Sequence, residues 1–173
     1  MSKIVIETEY PYAPELVWDA LTDSAALKQW LMDNDFVAQV GHRFQFRAKP
    51  NKHWRGVVDA EVLAVEPPTR LSYSWQGDED KPATVVTWTL RRAGQGTHLT
   101  LEHTGFTGIG GFILSRLILG PGWKKLMTKL LPVVIAHVSR AGLRFEPGRW
   151  LNPEKAEHSP DGPPGLSAAG SSS

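Results

Sequence analysis

From Lys3 to Tyr10 apolar and polar positions alternate, with Ile4, Ile6 and Thr8 on one side and Val5, Glu7 and Glu9 on the other. That period of two predicts a half-buried strand. At Ala13 the period changes. In APELVWDALTD, Pro14 suits a first helical position, where its missing N–H is harmless, and Leu16, Val17, Ala20 and Leu21 form one stripe. Ser24 reads as the N-cap of a second short helix, AALKQWLM, whose Leu27, Trp30 and Leu31 share a face.

Five more strand-like segments follow, each ended by turn residues. HRFQFRA sets His42, Phe44 and Phe46 against Arg43, Gln45 and Arg47, and PNK turns the chain into a long segment, HWRGVVDAEVLAVE, that stops at Pro67-Pro68. TRLSYSWQ sets Leu71, Tyr73 and Trp75 against Ser72 and Ser74; ATVVTWTLRR sets Val86, Trp88 and Leu90 against Thr87 and Thr89. THLTLEHTGF, joined to it by AGQG, places Leu99, Leu101 and His103 opposite Thr100 and Glu102. Short links and clean alternation describe an antiparallel meander of about six strands with one apolar face.

Only the chain after Thr107 is left to cover that face. At the helical period Trp123, Leu126, Leu130, Val134, His137, Val138 and Ala141 fall on one side, and Lys125, Lys129, Pro132 and Ala136 on the other. A proline on the solvent side loses a hydrogen bond that water replaces, so the segment is expected to form one long helix that curves over the sheet. The resulting order, a strand, two short helices, a meander and a long helix, is an α+β architecture, and its concavity leaves room for a cavity.

Composition narrows the function classes. The chain has 173 residues, 19 Lys and Arg against 18 Asp and Glu, no cysteine and seven tryptophans. Near-neutral charge gives no global basic field for nucleic acid, and the lack of cysteine removes disulfides, thiolate metal sites and thiol nucleophiles. The start, MSKIVIETEYPYAP, has no apolar core of a signal peptide, and no run approaches the ~20 residues of a membrane span, so a cytoplasmic protein is expected. From Pro147 the composition turns Pro/Gly/Ser-rich without an apolar period. Residues 1–146 are read as one domain and 147–173 as a disordered tail, with Trp150 and Leu151 docking near the boundary.

The stretches APELVWDALTDSAALKQWL, VGHRFQFR, EVLAVEPPTRLSYSW, VVTWTL, GTHLTLEHTGF and the GW that opens the last helix resemble the SRPBCC (START and Bet-v-allergen-like) helix-grip superfamily. Within it they are similar to the branch named after the activator of Hsp90 ATPase homologue. The resemblance covers residues 3–144 and implies a helix-grip fold, a curved antiparallel sheet wrapped around the C-terminal helix, with a cavity for an apolar ligand or a chaperone partner. One stretch departs from the branch. TGIGGFILSRLILGP is apolar where a polar, acidic link is common, and glycines on both sides of Phe112, Ile113 and Leu117 make it a candidate lid.

The inward positions Phe44, Phe46, Trp54, Tyr73, Trp75, Trp88, His103, Trp123, Leu130, Val134 and His137 are the candidate lining of an apolar cavity. Most aromatic residues at such positions simply pack a core. His103 and His137, one on the last strand and one on the covering helix, are expected to converge and to orient a ligand or serve as a base. The expected function is binding of a lipid-like or polyketide-like molecule without metal, cofactor or turnover. Truncating Trp88 is then expected to abolish binding and spare the fold. A cyclase or hydrolase using His103 and His137, and a co-chaperone role, are the alternatives. Finally, residues 104–145 carry no carboxylate, and Arg116, Lys124, Lys125 and Lys129 beside the apolar segment are candidates for contact with anionic membrane.

Overall fold

A computed structural model describes residues 2–161. Strand β1 (Ser2–Tyr10) is followed by helices α1 (Pro14–Thr22) and α2 (Ser24–Trp30), then by β2 (Asp33–Asn34), β3 (Arg43–Arg47), β4 (Val57–Glu66), β5 (Arg70–Trp75), β6 (Thr84–Ala93) and β7 (Gly96–Phe106). Helix α3 spans residues 108–141, and a short α4 (Pro153–His158) follows. All pairings are antiparallel and the sheet runs β1-β7-β6-β5-β4-β3-β2. The chain is therefore a seven-stranded curved sheet gripping a long helix, the helix-grip arrangement. The expected six strands become seven because Asp33 and Asn34, too short to show a period, pair with Arg47 and Phe46.

The alternation assigns faces correctly. Phe44, Phe46, Val58, Val62, Leu71, Tyr73, Val86, Trp88, Leu90, Leu99 and Leu101 are all buried on the inner face, whereas Asp59, Glu61, Thr87 and Glu102 take the other parity. The N-cap of α2 is Asp23 rather than Ser24: its Oδ1 accepts from the Ala26 N–H at 2.9 Å, and Ser24 Oγ donates instead to Asn34 Oδ1 at 2.8 Å. The fourth strand starts at Val57 and not at His53. Gly56 has φ +80, and a Cβ there would stand 2.4 Å from the Ala48 carbonyl oxygen, so the chain turns and Trp54 lies on a loop.

Helix α3 is continuous but changes register twice, in π-type turns at Leu114–Leu119 and Leu126–Leu130. Each lies just before a proline, Pro121 and Pro132. The Gly120 N–H reaches back to Ser115 O and the Leu131 N–H to Leu126 O, five residues each. Widening the turn relieves the clash between the proline ring and the preceding carbonyls. A Cβ at position 120 would meet Ser115 O at 2.8 Å, so glycine fits this turn. The register changes also rotate the covering face. Met127, Leu131 and Ile135 join Trp123, Leu130, Val134 and Val138 in the core, while Leu126 and His137 are half-buried and Ala141 is exposed. The Tyr10 hydroxyl donates to Met127 O and ties β1 to the middle of this helix.

Leu151 docks near the boundary, as expected, but residues 152–161 of the expected disordered tail form a capped helix and its turn. Leu151 N–H donates to Gln29 Oε1 at 2.9 Å, Gln29 Nε2 donates to Arg149 O at 3.1 Å, and α4 is capped by Asn152. Lys125 on α3 pairs with Glu154 on α4 at 2.9 Å. The Pro/Gly content hid a segment that docks through side-chain bonds to backbone rather than through an apolar stripe. Residues 162–173 of the expected tail lie outside the described residues.

Candidate functional site

The first half of α3 stands off the sheet, and the gap is a cavity of about 1120 Å³. Val58, Trp75 and Thr84 on the strands form its floor, with Phe106 and Trp123 beside them; Leu114, Ile118, Leu119 and Leu126 of α3 form an apolar wall. The loops 48–55 and 77–82 close one side, and Lys155, His158 and Ser159 close another.

Of the expected lining residues, Trp54, Trp75 and Trp123 border the cavity. Phe44, Phe46, Tyr73 and Trp88 stand behind it in a packed aromatic layer: Phe44 meets Phe46 at 5.1 Å and Tyr73 at 5.7 Å, and Trp88 meets Trp30 at 5.9 Å and Trp123 at 5.5 Å, edge to face. The Trp88 indole N–H donates to Tyr73 Oη at 2.9 Å, and burial raises the Tyr73 phenol well above its usual range. Leu130 and Val134 are likewise core residues rather than cavity wall. Phe112, Ile113 and Leu117, the expected lid contacts, are exposed by 51, 46 and 72 %; their neighbours Leu114 and Leu119 are half-buried at the cavity, and Ile118 borders it with 60 % of its surface exposed.

His103 and His137 do not converge. His137 sits at the far end of α3, with Nε2 at 2.8 Å from Arg144 O and its ring stacked on Phe145. Val134 and Val138 beside it are buried, but here the helix has run past the cavity, and the half-buried ring holds the chain that follows the helix. His103 is fully buried one layer beneath the floor. Its Nδ1 accepts from the Trp123 indole N–H at 3.1 Å, which assigns the proton to Nε2, 2.6 Å from Thr84 Oγ1. The Thr84 hydroxyl in turn donates to Trp75 O at 3.0 Å. This chain of three bonds positions both floor tryptophans and uses both ring nitrogens. Burial pushes the His103 pKa down to about 3, and a proton on Nδ1 would confront the Trp123 N–H with a second donor. His103 is therefore neutral and acts through Trp75 and Trp123.

Sequence periodicity missed the α3 wall, the loop 48–55 and the C-terminal side of the cavity. Leu114 and Ile118 carried a signal, an apolar stretch between glycines, but the register change decides which of its residues face inward. Lys155 and Ser159 carried none, since a polar residue in a Pro-rich stretch looks like any linker residue.

The family model described as Activator of Hsp90 ATPase homolog 1-like protein matches residues 11–132. The chain belongs to this family. Among solved structures, this activator-homologue-like chain is 35 % identical to protein MLL2253 from Mesorhizobium loti, over 81 % of its own length and 98 % of the other, with a TM-score of 0.64. CalU16 from Micromonospora echinospora is 26 % identical, over 82 % of this chain and 80 % of that one, with a TM-score of 0.62. The Aha1 dimer from Colwellia psychrerythraea shares the fold at 20 % identity, 82 % and 98 % coverage and a TM-score of 0.61. No curated protein matches. Among the described residues of this family member, no helix is long and apolar enough to cross a membrane.

Proposed function

We propose that this protein encloses an apolar or aromatic small molecule in the cavity beneath α3, holding it without turnover. The observation that carries this reading is the cavity of about 1120 Å³ whose wall combines Trp75 and Trp123 with Leu114, Ile118 and Leu126. A volume of this order suits a lipid-like or polyketide-like ligand, and mostly apolar walls with few polar groups are the usual make-up of such sites. His103 supports the site by orienting the tryptophans and has no free nitrogen for proton transfer. The test is titration with a neutral fluorescent probe, N-phenyl-1-naphthylamine, and native mass spectrometry of the purified protein. Saturable binding is expected, and Leu114→Trp combined with Leu119→Trp should fill the space and weaken it about tenfold or more with little loss of stability, because both positions border the cavity and are half-buried. A protein that takes up neither probe nor co-purifying molecule has a closed or water-filled gap, and the reading falls.

A specific surface favours peripheral membrane contact as the route of loading. Ile109 is 81 % exposed, and with Phe112, Ile113, Leu117 and Arg116 it forms an apolar, cationic face on the cavity's outer wall. Lys124 and Lys129 extend that charge, whereas Lys125 is engaged by Glu154. Co-sedimentation with vesicles containing phosphatidylglycerol is expected, together with its loss in an Ile109→Ser, Leu117→Ser double variant. Equal recovery of both proteins with and without vesicles would remove membrane contact from the account.

A further inference from the structure

The cavity is not uniformly apolar. Six lysine or arginine side chains border it against two carboxylates, Asp33 and Asp78, in a chain whose net charge is only +1. Most of these cations already have partners. Arg47 lies 3.4 Å and Lys28 3.5 Å from Asp33, Arg55 lies 2.7 Å from Asp59, and Lys81 lies 3.3 Å from Asp78. Lys52 sits exposed on its loop.

Lys155 differs. The docked C-terminal segment brings it over the end of α2, where its Nζ donates to Leu31 O at 2.8 Å, and among the described residues no carboxylate lies within ion-pair distance of it. Burial, with the nearby Lys125 ammonium adding to it and Glu154 opposing it, lowers its pKa to about 8, so the ammonium is partly dehydrated and has no direct ion-pair partner. One turn further on, Ser159 is 4 % exposed, and its Oγ has no hydrogen-bond partner among the described residues. The Arg55 Nε, on the facing loop, is also buried without a partner. Buried polar atoms are ordinarily satisfied, so unpaired donors on two sides of one cavity point to an absent acceptor. The segment is fixed there by the Lys49 N–H, which donates to His158 O at 3.1 Å and joins the C-terminal turn to the loop that carries Arg55.

We propose that this end of the cavity holds the head of an apolar carboxylic acid, with Lys155 and Ser159 donating to the carboxylate and Trp75, Trp123 and Leu114 covering its hydrocarbon or aromatic body. The proposal rests on the cavity-binding reading above and names the ligand class for that site. Charge balance selects a monoanion: one ammonium lacks a partner, and a phosphate dianion would leave excess negative charge in a partly dry site. Donor count agrees, since an ammonium with two free N–H groups and one hydroxyl match the two oxygens of a carboxylate.

The experiment is displacement of N-phenyl-1-naphthylamine from the full chain by dodecanoate, dodecanol and dodecyl phosphate, at a pH about two units below the Lys155 value, so that its amine is charged. Dodecanoate is expected to bind roughly tenfold more tightly than dodecanol. Lys155→Met should reduce that preference to near unity, Lys155→Arg should retain most of it, and Ser159→Ala should lower it a few-fold. Thermal melts report whether each variant is folded, and the arginine variant serves if the methionine one is not. Equal binding of dodecanoate and dodecanol, a preference that survives in Lys155→Met, or tighter binding of dodecyl phosphate overturns the carboxylate assignment and leaves the cavity reading standing. Failure of the probe and of all three competitors to bind overturns both.

Discussion

Replacing Trp88 by alanine is expected to cost about 3–5 kcal/mol of stability, the range for removing a large aromatic side chain from a packed core. The residue is fully buried and does not border the cavity. Its ring is held edge-on by Trp30 and Trp123, and its loss also strips the Tyr73 hydroxyl of a donor. For a domain with a total of about 5–15 kcal/mol, that is a large share. Equilibrium urea unfolding checks it: a midpoint lowered strongly, with an unchanged slope, is the expected outcome. A change below about 1 kcal/mol, accompanied by loss of probe binding, would put Trp88 on an accessible wall and restore the role that parity alone assigned to it.

Acid is expected to destabilise the protein through His103 before the carboxylates protonate. In the unfolded chain this imidazole takes a proton near its ordinary value of 6.5; in the folded protein its pKa is about 3. Between those values the unfolded state binds the proton and the native state does not, so stability is intact above about pH 6.5 and declines as pH falls toward 3. The slope approaches about 1.4 kcal/mol per pH unit, which amounts to about 2 kcal/mol between about pH 7.5 and pH 5. His103→Gln supplies one acceptor for the Trp123 N–H and one donor for Thr84 without titrating. It is expected to lower stability at neutral pH and to flatten this part of the profile. Denaturant midpoints measured across the interval decide the matter. A variant that retains the wild-type slope would mean that another group carries the proton linkage.

The fold was legible because its strands announce themselves. Inner and outer positions of β3 to β7 alternate cleanly, and one-sided burial forces that alternation, since a slip by one residue would turn the whole apolar set to water. The helix-grip resemblance rested on the same core and turn residues. The site was legible only in part. Trp75 and Trp123 followed from parity and from the helix stripe, yet the same parity placed Phe44, Phe46, Tyr73 and Trp88 beside them. Periodicity says that a side chain points inward; it does not say whether the space before it is filled. His137 failed for a different reason. It shares a face with the buried Val134 and Val138, but it stands in the last turns of α3, against Arg144 and Phe145 and away from the cavity; a helical wheel gives a residue's face and not its height along the axis.

By itself, then, the sequence determined the order of elements, the faces of the strands, the two short helices after β1 and the long covering helix, because each depends on local periodicity and on residues close in the chain. Only the tertiary structure decided where the sheet and α3 part to leave a cavity, that His103 is locked between Trp123 and Thr84, and that Lys155 and Ser159 reach the cavity wall. Those outcomes depend on how separate elements come together, from the 20 positions between His103 and Trp123 to the more than a hundred between Lys155 and Leu31 or Leu151 and Gln29, which no local pattern encodes.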